Sequence, residues 1–212
     1  MDRTLTLAQL LAVFENYNLA IWPVQMLAYV LGLAALFFAI KPSRYSSRIV
    51  TGILCFLWLW TGIAFYALQF GPVYAPAYAF GVLVVIQGAL FLASVLKPRL
   101  SFGVKGDLYC GVGLLFVAYA MIGYPAVGYF LGHVYPQTPP FGLTPCPTTV
   151  FTFGLLLLTG KRLPKLFLAI PLLAALGGIM PVSIGILEDT GLIVAGLLGT
   201  AMIVYRDRKM EE

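Results

Sequence analysis

Seven apolar runs divide this 212-residue chain, and its basic residues occupy only every second gap between them. Twelve of the 13 Lys and Arg residues fall in four clusters: Lys41, Arg44 and Arg48; Lys97, Arg99 and Lys105; Lys161, Arg162 and Lys165; Arg206, Arg208 and Lys209. The intervening gaps carry none. Basic residues are retained on the cytoplasmic side of a bilayer, so a strict alternation of this kind orients a multi-pass chain. At 61% hydrophobic and 10% charged residues, the chain is far more apolar than a soluble domain, which is about 25% charged. The expected architecture is all-α: an integral membrane helical bundle of seven transmembrane helices, N-terminus outside and C-terminus cytoplasmic. The net charge of +5 comes from the orienting clusters and does not point to nucleic acid.

The spans are expected at 19–40, 49–69, 78–96, 108–131, 147–160, 166–187 and 191–205, forming one transmembrane domain over residues 1–212. A short amphipathic helix precedes them, capped by Thr4 or Thr6. Leu7, Leu10, Leu11 and Phe14 share its apolar face, which suits the membrane surface. Only Arg3 precedes the apolar core and no small-residue cleavage site follows, so this is not read as a signal peptide. Pro171, Pro181, Gly177 and Gly178 predict a kinked or broken sixth helix. The simplest location is the cytoplasmic (inner) membrane of a prokaryote, with the lipid bilayer as the constant partner.

The fifth span is short: 147–160 gives roughly 20 Å of helix against a hydrocarbon core of about 30 Å. The stretch before it, GHVYPQTPPFGLTPCPTT (132–149), holds the only histidine, His133, five of the 14 prolines and Cys146. Irregular backbone at membrane depth is stable only when packed in protein or lining a wet cavity. The stretch is therefore expected to plug the outer half of the bundle or floor a pocket there. Cys146 falls in the first turn of the fifth helix, where free N–H groups favour a thiolate, or else it is a structural thiol in a rigid turn. His133 is a ligand, a proton acceptor or a hydrogen-bonded loop residue. Tyr135, Thr148 and Thr149 add hydroxyls. A second polar group, Glu15, Asn18, Trp22 and Gln25, sits at the same outer level and either shares a vestibule with the stretch or anchors the interface. Cys55 and Cys110 lie within spans and read as packing residues.

Two segments, NLAIWPVQ (18–25) and GHVYPQTPPFGLTPCPTTVFTFG (132–154), resemble a prokaryotic multi-pass membrane-protein family known only as a domain of unknown function. The resemblance runs over nearly the whole chain. It implies the membrane class and supplies no ligand, cofactor or reacting residue.

The preferred function is transport or binding of a small solute or a soft metal ion in an outward-facing pocket, with Cys146 and His133 as the candidate metal ligands. The alternatives are an intramembrane enzyme with Cys146 as nucleophile and His133 or Glu15 as base, and a structural or partner-binding role. The spacing of His133 and Cys146 matches no standard zinc site, no span contains a lysine for retinal, and serine-hydrolase and nucleotide motifs are absent.

Overall fold

The computed structural model describes residues 5–104 and 106–210; Arg3, Thr4 and Lys105 lie outside these. The first helix starts at Thr6. Its hydroxyl accepts from the Gln9 N–H (3.3 Å) while Gln9 Oε1 accepts from the Thr6 N–H (3.0 Å), a capping box that satisfies two orphan donors. α1 (Leu7–Ala20) then stops at Ile21, and α2 (Val24–Ile40) leaves at 88°. The expected surface helix is thus real but not merely superficial. Leu10, Val13, Phe14, Tyr17 and Asn18 are buried against the bundle, because an apolar stripe of this width fits a protein groove as well as a lipid surface.

α3 (Ser46–Trp60) continues as a π-helix through Thr61–Phe70, and α4 (Ala77–Leu96) runs back beside it. α5 (Leu108–Ala118) passes through a π segment, Tyr119–Gly123, into α6 (Tyr124–Phe130). After the proline-rich loop come α7 (Pro145–Leu157), α8 (Leu166–Gly177), α9 (Ile179–Ser183) and α10 (Thr190–Lys209), the last entered by a 3₁₀ turn at Leu187–Asp189. No strand occurs among the described residues; Phe102 and Thr159 make one isolated bridge. The α8–α9 break falls at Gly178, within the expected Gly-Gly pair.

Five helical stretches are long and apolar enough to cross a membrane: Ser46–Phe70, Ala77–Leu96, Leu108–Phe130, Leu166–Ser183 and Leu187–Lys209. The bent pair α1–α2 makes a sixth if taken as one span. The fifth expected span, 147–160, corresponds to the shorter α7, whose 13 residues stand in the middle of the bundle between α3, α5, α8 and α10, with every side chain from Cys146 to Leu157 buried.

Such a central helix needs close neighbours and closed ends. Glycines supply the first. A Cβ on Gly113 would lie 2.7 Å from the Gly154 carbonyl oxygen, and one on Gly154 would lie 2.8 Å from that of Gly113, so α5 and α7 cross with their backbones in contact. Arg206 closes the C-terminal end. Its guanidinium donates to Leu157 O (3.2 Å), Thr159 O (3.0 Å) and Thr159 Oγ1 (3.1 Å), and pairs with Asp207 at 3.0 Å. Midway, the Trp58 indole N–H donates to Thr152 Oγ1 (2.8 Å), and Thr152 donates back to Thr148 O (2.7 Å).

The basic clusters share one end of the bundle. Phe102 N–H bonds to Ser47 Oγ, Gly103 N–H to Leu158 O, and Leu163 N–H to Asp207, tying three loops and the C-terminal tail together there.

Candidate functional site

The end of α6 sets the position of His133. Gly132 takes φ +89°, His133 N–H bonds to Gly128 O (2.8 Å) and Gly132 N–H to Tyr129 O (3.1 Å), the pairing of a Schellman motif, which needs glycine at that place. The chain leaving this motif points the imidazole inward. His133 Nδ1 lies 2.9 Å from Glu188 Oε1, and both side chains are buried.

The proline-rich loop then turns into the bundle. Residues 139–144 are all buried, as the plug reading anticipated. Phe141 stands edge-on to Phe151, and Gly32 leaves room for its ring. α1 holds the loop down. Asn18 Nδ2 donates to Pro136 O (2.6 Å) and Thr138 O (2.7 Å), Gln137 Nε2 donates to Glu15 Oε2 (2.9 Å), and Tyr17 donates to Leu143 O (2.9 Å). Gln25 Nε2 in turn donates to Asn18 O (2.8 Å). Glu15, Asn18 and Gln25 thus form a clamp on the loop.

α7 begins where the plug ends. Thr144 is its cap residue, its hydroxyl donating to Pro140 O (2.9 Å), and Pro145 opens the first turn, where its missing N–H costs nothing. Cys146 Sγ donates to Asp189 Oδ2 at 3.2 Å, and the Tyr124 hydroxyl donates to Asp189 Oδ1. Asp189 is fully buried and lies over the N-terminal turn of α7, where the helix dipole favours a carboxylate. Tyr119 donates to Glu188 O (2.8 Å), and Gly191 leaves the space its ring occupies. The π segment that carries Tyr119 immediately precedes Tyr124; π turns re-aim the side chains of a helix and often mark functional sites.

A cavity of about 340 Å³ opens beside Cys146. Leu10 and Phe14 of α1, Phe65 and Tyr66 of the π-helix and Leu192 of α10 line it, with α8 and α9 closing the far side. The wall is mostly apolar.

Of the residues singled out in the sequence, Cys146 lines this cavity, while His133 lies in the neighbouring pair with Glu188. Thr148 is back-bonded to Thr144 O (2.6 Å) and Thr149 is buried in α7. Trp22 and Tyr135 are exposed. Cys55 and Cys110 are buried and unpaired by disulfides, as is Cys146. Among the described residues no group of three or more His, Cys, Asp or Glu side chains converges to hold a metal, and the Cys146 thiol and the His133 ring each bond to a different acid. Tyr124, Glu188 and Asp189 were noted in the sequence only as further polar groups near the outer side, and Tyr66 was not singled out. The signal for the acids was available, since Glu188 and Asp189 are the only acids between Asp107 and Asp207.

No curated protein and no solved structure matches this chain. A family of unknown function, DUF6064, matches over residues 7–212, and the chain belongs to it.

Proposed function

We propose that this protein is a multi-pass protein of the prokaryotic cytoplasmic membrane that binds, and in a transport cycle carries, a small and mostly apolar molecule with one hydrogen-bonding end. The chain crosses seven times, with the N-terminus outside, α7 as a short buried crossing and the basic end in the cytoplasm; the meeting of all the basic clusters at one end supports this orientation. The observation that carries the binding reading is the cavity of about 340 Å³, apolar along its walls and reaching Cys146, whose thiol is bonded to the buried Asp189 behind it. Apolar pockets with a few convergent polar groups are the usual form of small-molecule sites. The lining favours an organic solute over a soft metal ion.

One observation favours the enzyme alternative: the Cys146 thiol meets a carboxylate at a helix N-terminus, facing a cavity. His133 is engaged with Glu188, so any base for Cys146 is Asp189.

The test is alkylation of Cys146 in a Cys55→Ala, Cys110→Ala background. N-ethylmaleimide, small and apolar, should modify Cys146, whereas a charged methanethiosulfonate should not. Ala174→Trp, which fills the cavity wall, should slow the maleimide reaction by roughly tenfold or more, equivalent to about 1.4 kcal/mol on the barrier. Absence of labelling, or a rate unchanged by Ala174→Trp, rejects the pocket. Turnover-dependent loss of thiol with a reactive acyl substrate would favour the enzyme.

A further inference from the structure

The basic end of the molecule carries hydrogen-bond donors that the fold does not use. A hollow of about 310 Å³ there is lined by Arg44, Tyr45, Ser47 and Arg48, where α3 begins, and by Pro98 of the loop after α4. Both arginines are exposed, and among the described residues neither pairs with a carboxylate. The described acids of this end are engaged elsewhere. Asp107 Oδ1 accepts from the Cys110 N–H (2.9 Å), and Asp207 pairs with Arg206 at 3.0 Å and takes the Leu163 N–H. Ser47 Oγ accepts from the Phe102 N–H (3.2 Å), while its own proton has no acceptor among the described residues. The hollow therefore presents two guanidinium forks and a free hydroxyl proton with no negative group to answer them.

Its surroundings set the kind of anion. α3 packs against both α2 and α4, and the nearby ends of those helices expose apolar side chains, Phe37 and Ile40 on α2 and Leu96 on α4. One turn along α3 from Arg48, Gly52 leaves the same face of the helix low; among the described residues a Cβ there would meet only Val95 Cγ2, at 3.9 Å. The hollow thus sits where exposed apolar surface gives way to basic loops, and a shallow apolar groove leads from it. Guanidinium forks match phosphate oxygens two at a time, and basic pockets between spanning helices at the cytoplasmic border hold anionic lipid head groups.

We infer that this hollow binds the phosphate of an anionic phospholipid, with Arg44 and Arg48 on its oxygens, Ser47 donating a further hydrogen bond, and an acyl chain lying along the groove past Gly52. The lipid supplies the countercharge that the described fold does not. A free phosphate shares the head-group chemistry but has no use for the groove. The inference rests on the membrane-spanning part of the reading above and not on the cavity beside Cys146, which lies at the other end of the bundle.

The experiment is native mass spectrometry of the intact protein in a neutral detergent, titrated with dioleoylphosphatidylglycerol and, in parallel, with dioleoylphosphatidylcholine. One phosphatidylglycerol should bind saturably, and phosphatidylcholine far more weakly. A basic residue near the head group is worth about a fivefold gain, so Arg44→Gln together with Arg48→Gln should weaken binding by roughly 25-fold. Either single variant, at about a fivefold loss, serves should the double variant fail to fold. Lys161→Gln with Lys165→Gln removes the same charge from the same end and should leave binding nearly unchanged, since distant exposed charges are screened. Gly52→Leu, which fills the groove and leaves both arginines in place, should weaken lipid binding severalfold. Equal binding of the two lipids, or equal losses in the arginine and lysine variants, overturns the inference. Displacement of the lipid by millimolar inorganic phosphate, with binding indifferent to Gly52→Leu, overturns the lipid source and assigns the hollow to free phosphate. Each of these results leaves the alkylation test of the cavity unaffected.

Discussion

Gly154→Ala is the sharpest perturbation the structure offers, because one methyl group distinguishes it from the wild type and its surroundings are backbone and one stiff β-branched side chain. The added Cβ would sit 2.8 Å from Gly113 O, 2.8 Å from Val117 Cγ2 and 3.0 Å from Val117 N. A carbon–oxygen contact relaxes at about 3.3 Å or more, so α5 and α7 must part by roughly half an ångström along a crossing that has no flexible side chain to yield. Overpacking of this kind costs about 1–3 kcal/mol, partly offset by up to about 1 kcal/mol of better helix propensity. The net loss is about 1–2 kcal/mol, a fall in Tm of roughly 2–8 °C for a chain of this size. Gly111→Ala, on α5 with nothing within 4 Å of its added Cβ, is the matched control and should hold or raise Tm. Thermal unfolding of the detergent-purified variants, followed by tryptophan fluorescence, measures both. Gly113→Ala alone should resemble Gly154→Ala, and the double variant should cost less than the sum, since the first substitution already separates the helices. A Gly154→Ala protein as stable as the wild type would refute the backbone contact and with it the central placement of α7.

Two further outcomes follow from the ends and middle of α7. Arg206→Met leaves Asp207 and the Leu157 and Thr159 carbonyls without their partner and should cost about 3–5 kcal/mol in denaturant unfolding; Arg206→Lys should recover little, since an ammonium does not reproduce the guanidinium fork. A double-mutant cycle of Trp58→Phe and Thr152→Val should give a coupling of about 1 kcal/mol, read from the same melts, and additivity would mean that their hydrogen bond contributes nothing.

The helical class was legible in the apolar runs, and the common end of the basic clusters was legible in their alternation. His133 and Cys146 stood out because each is rare and lies amid prolines. What they touch was not legible. Cys146 meets Asp189 across 43 residues, and no local pattern encodes that distance. The burial of Glu188 and Asp189 was not legible either, since a two-residue acidic step between apolar runs reads the same whether water or protein covers it. The apolar face of α1 was visible, but its partner was ambiguous because lipid and protein reward the same periodicity. The 88° break after it follows a short turn around Pro23 that also fits the start of a continuous span. The π segments have no residue signature. They arise where tertiary packing favours an extra residue in the turn, and they place Phe65, Tyr66 and Tyr119 where an ideal α-helix would have rotated them away.

α10 holds α7 at both of its ends. Asp189, at the entrance to α10, takes the thiol of Cys146 in the first turn of α7; Arg206, about 25 Å further along, takes the carbonyls at its last. The two helices behave as a strut clamped at each end. Any shift of the first turn of α7 must stretch the Asp189 contact, slide α7 along α10, or pull on the Arg206 fork. A displacement at one end of this strut would therefore load the contacts at the opposite, basic end of the molecule as well.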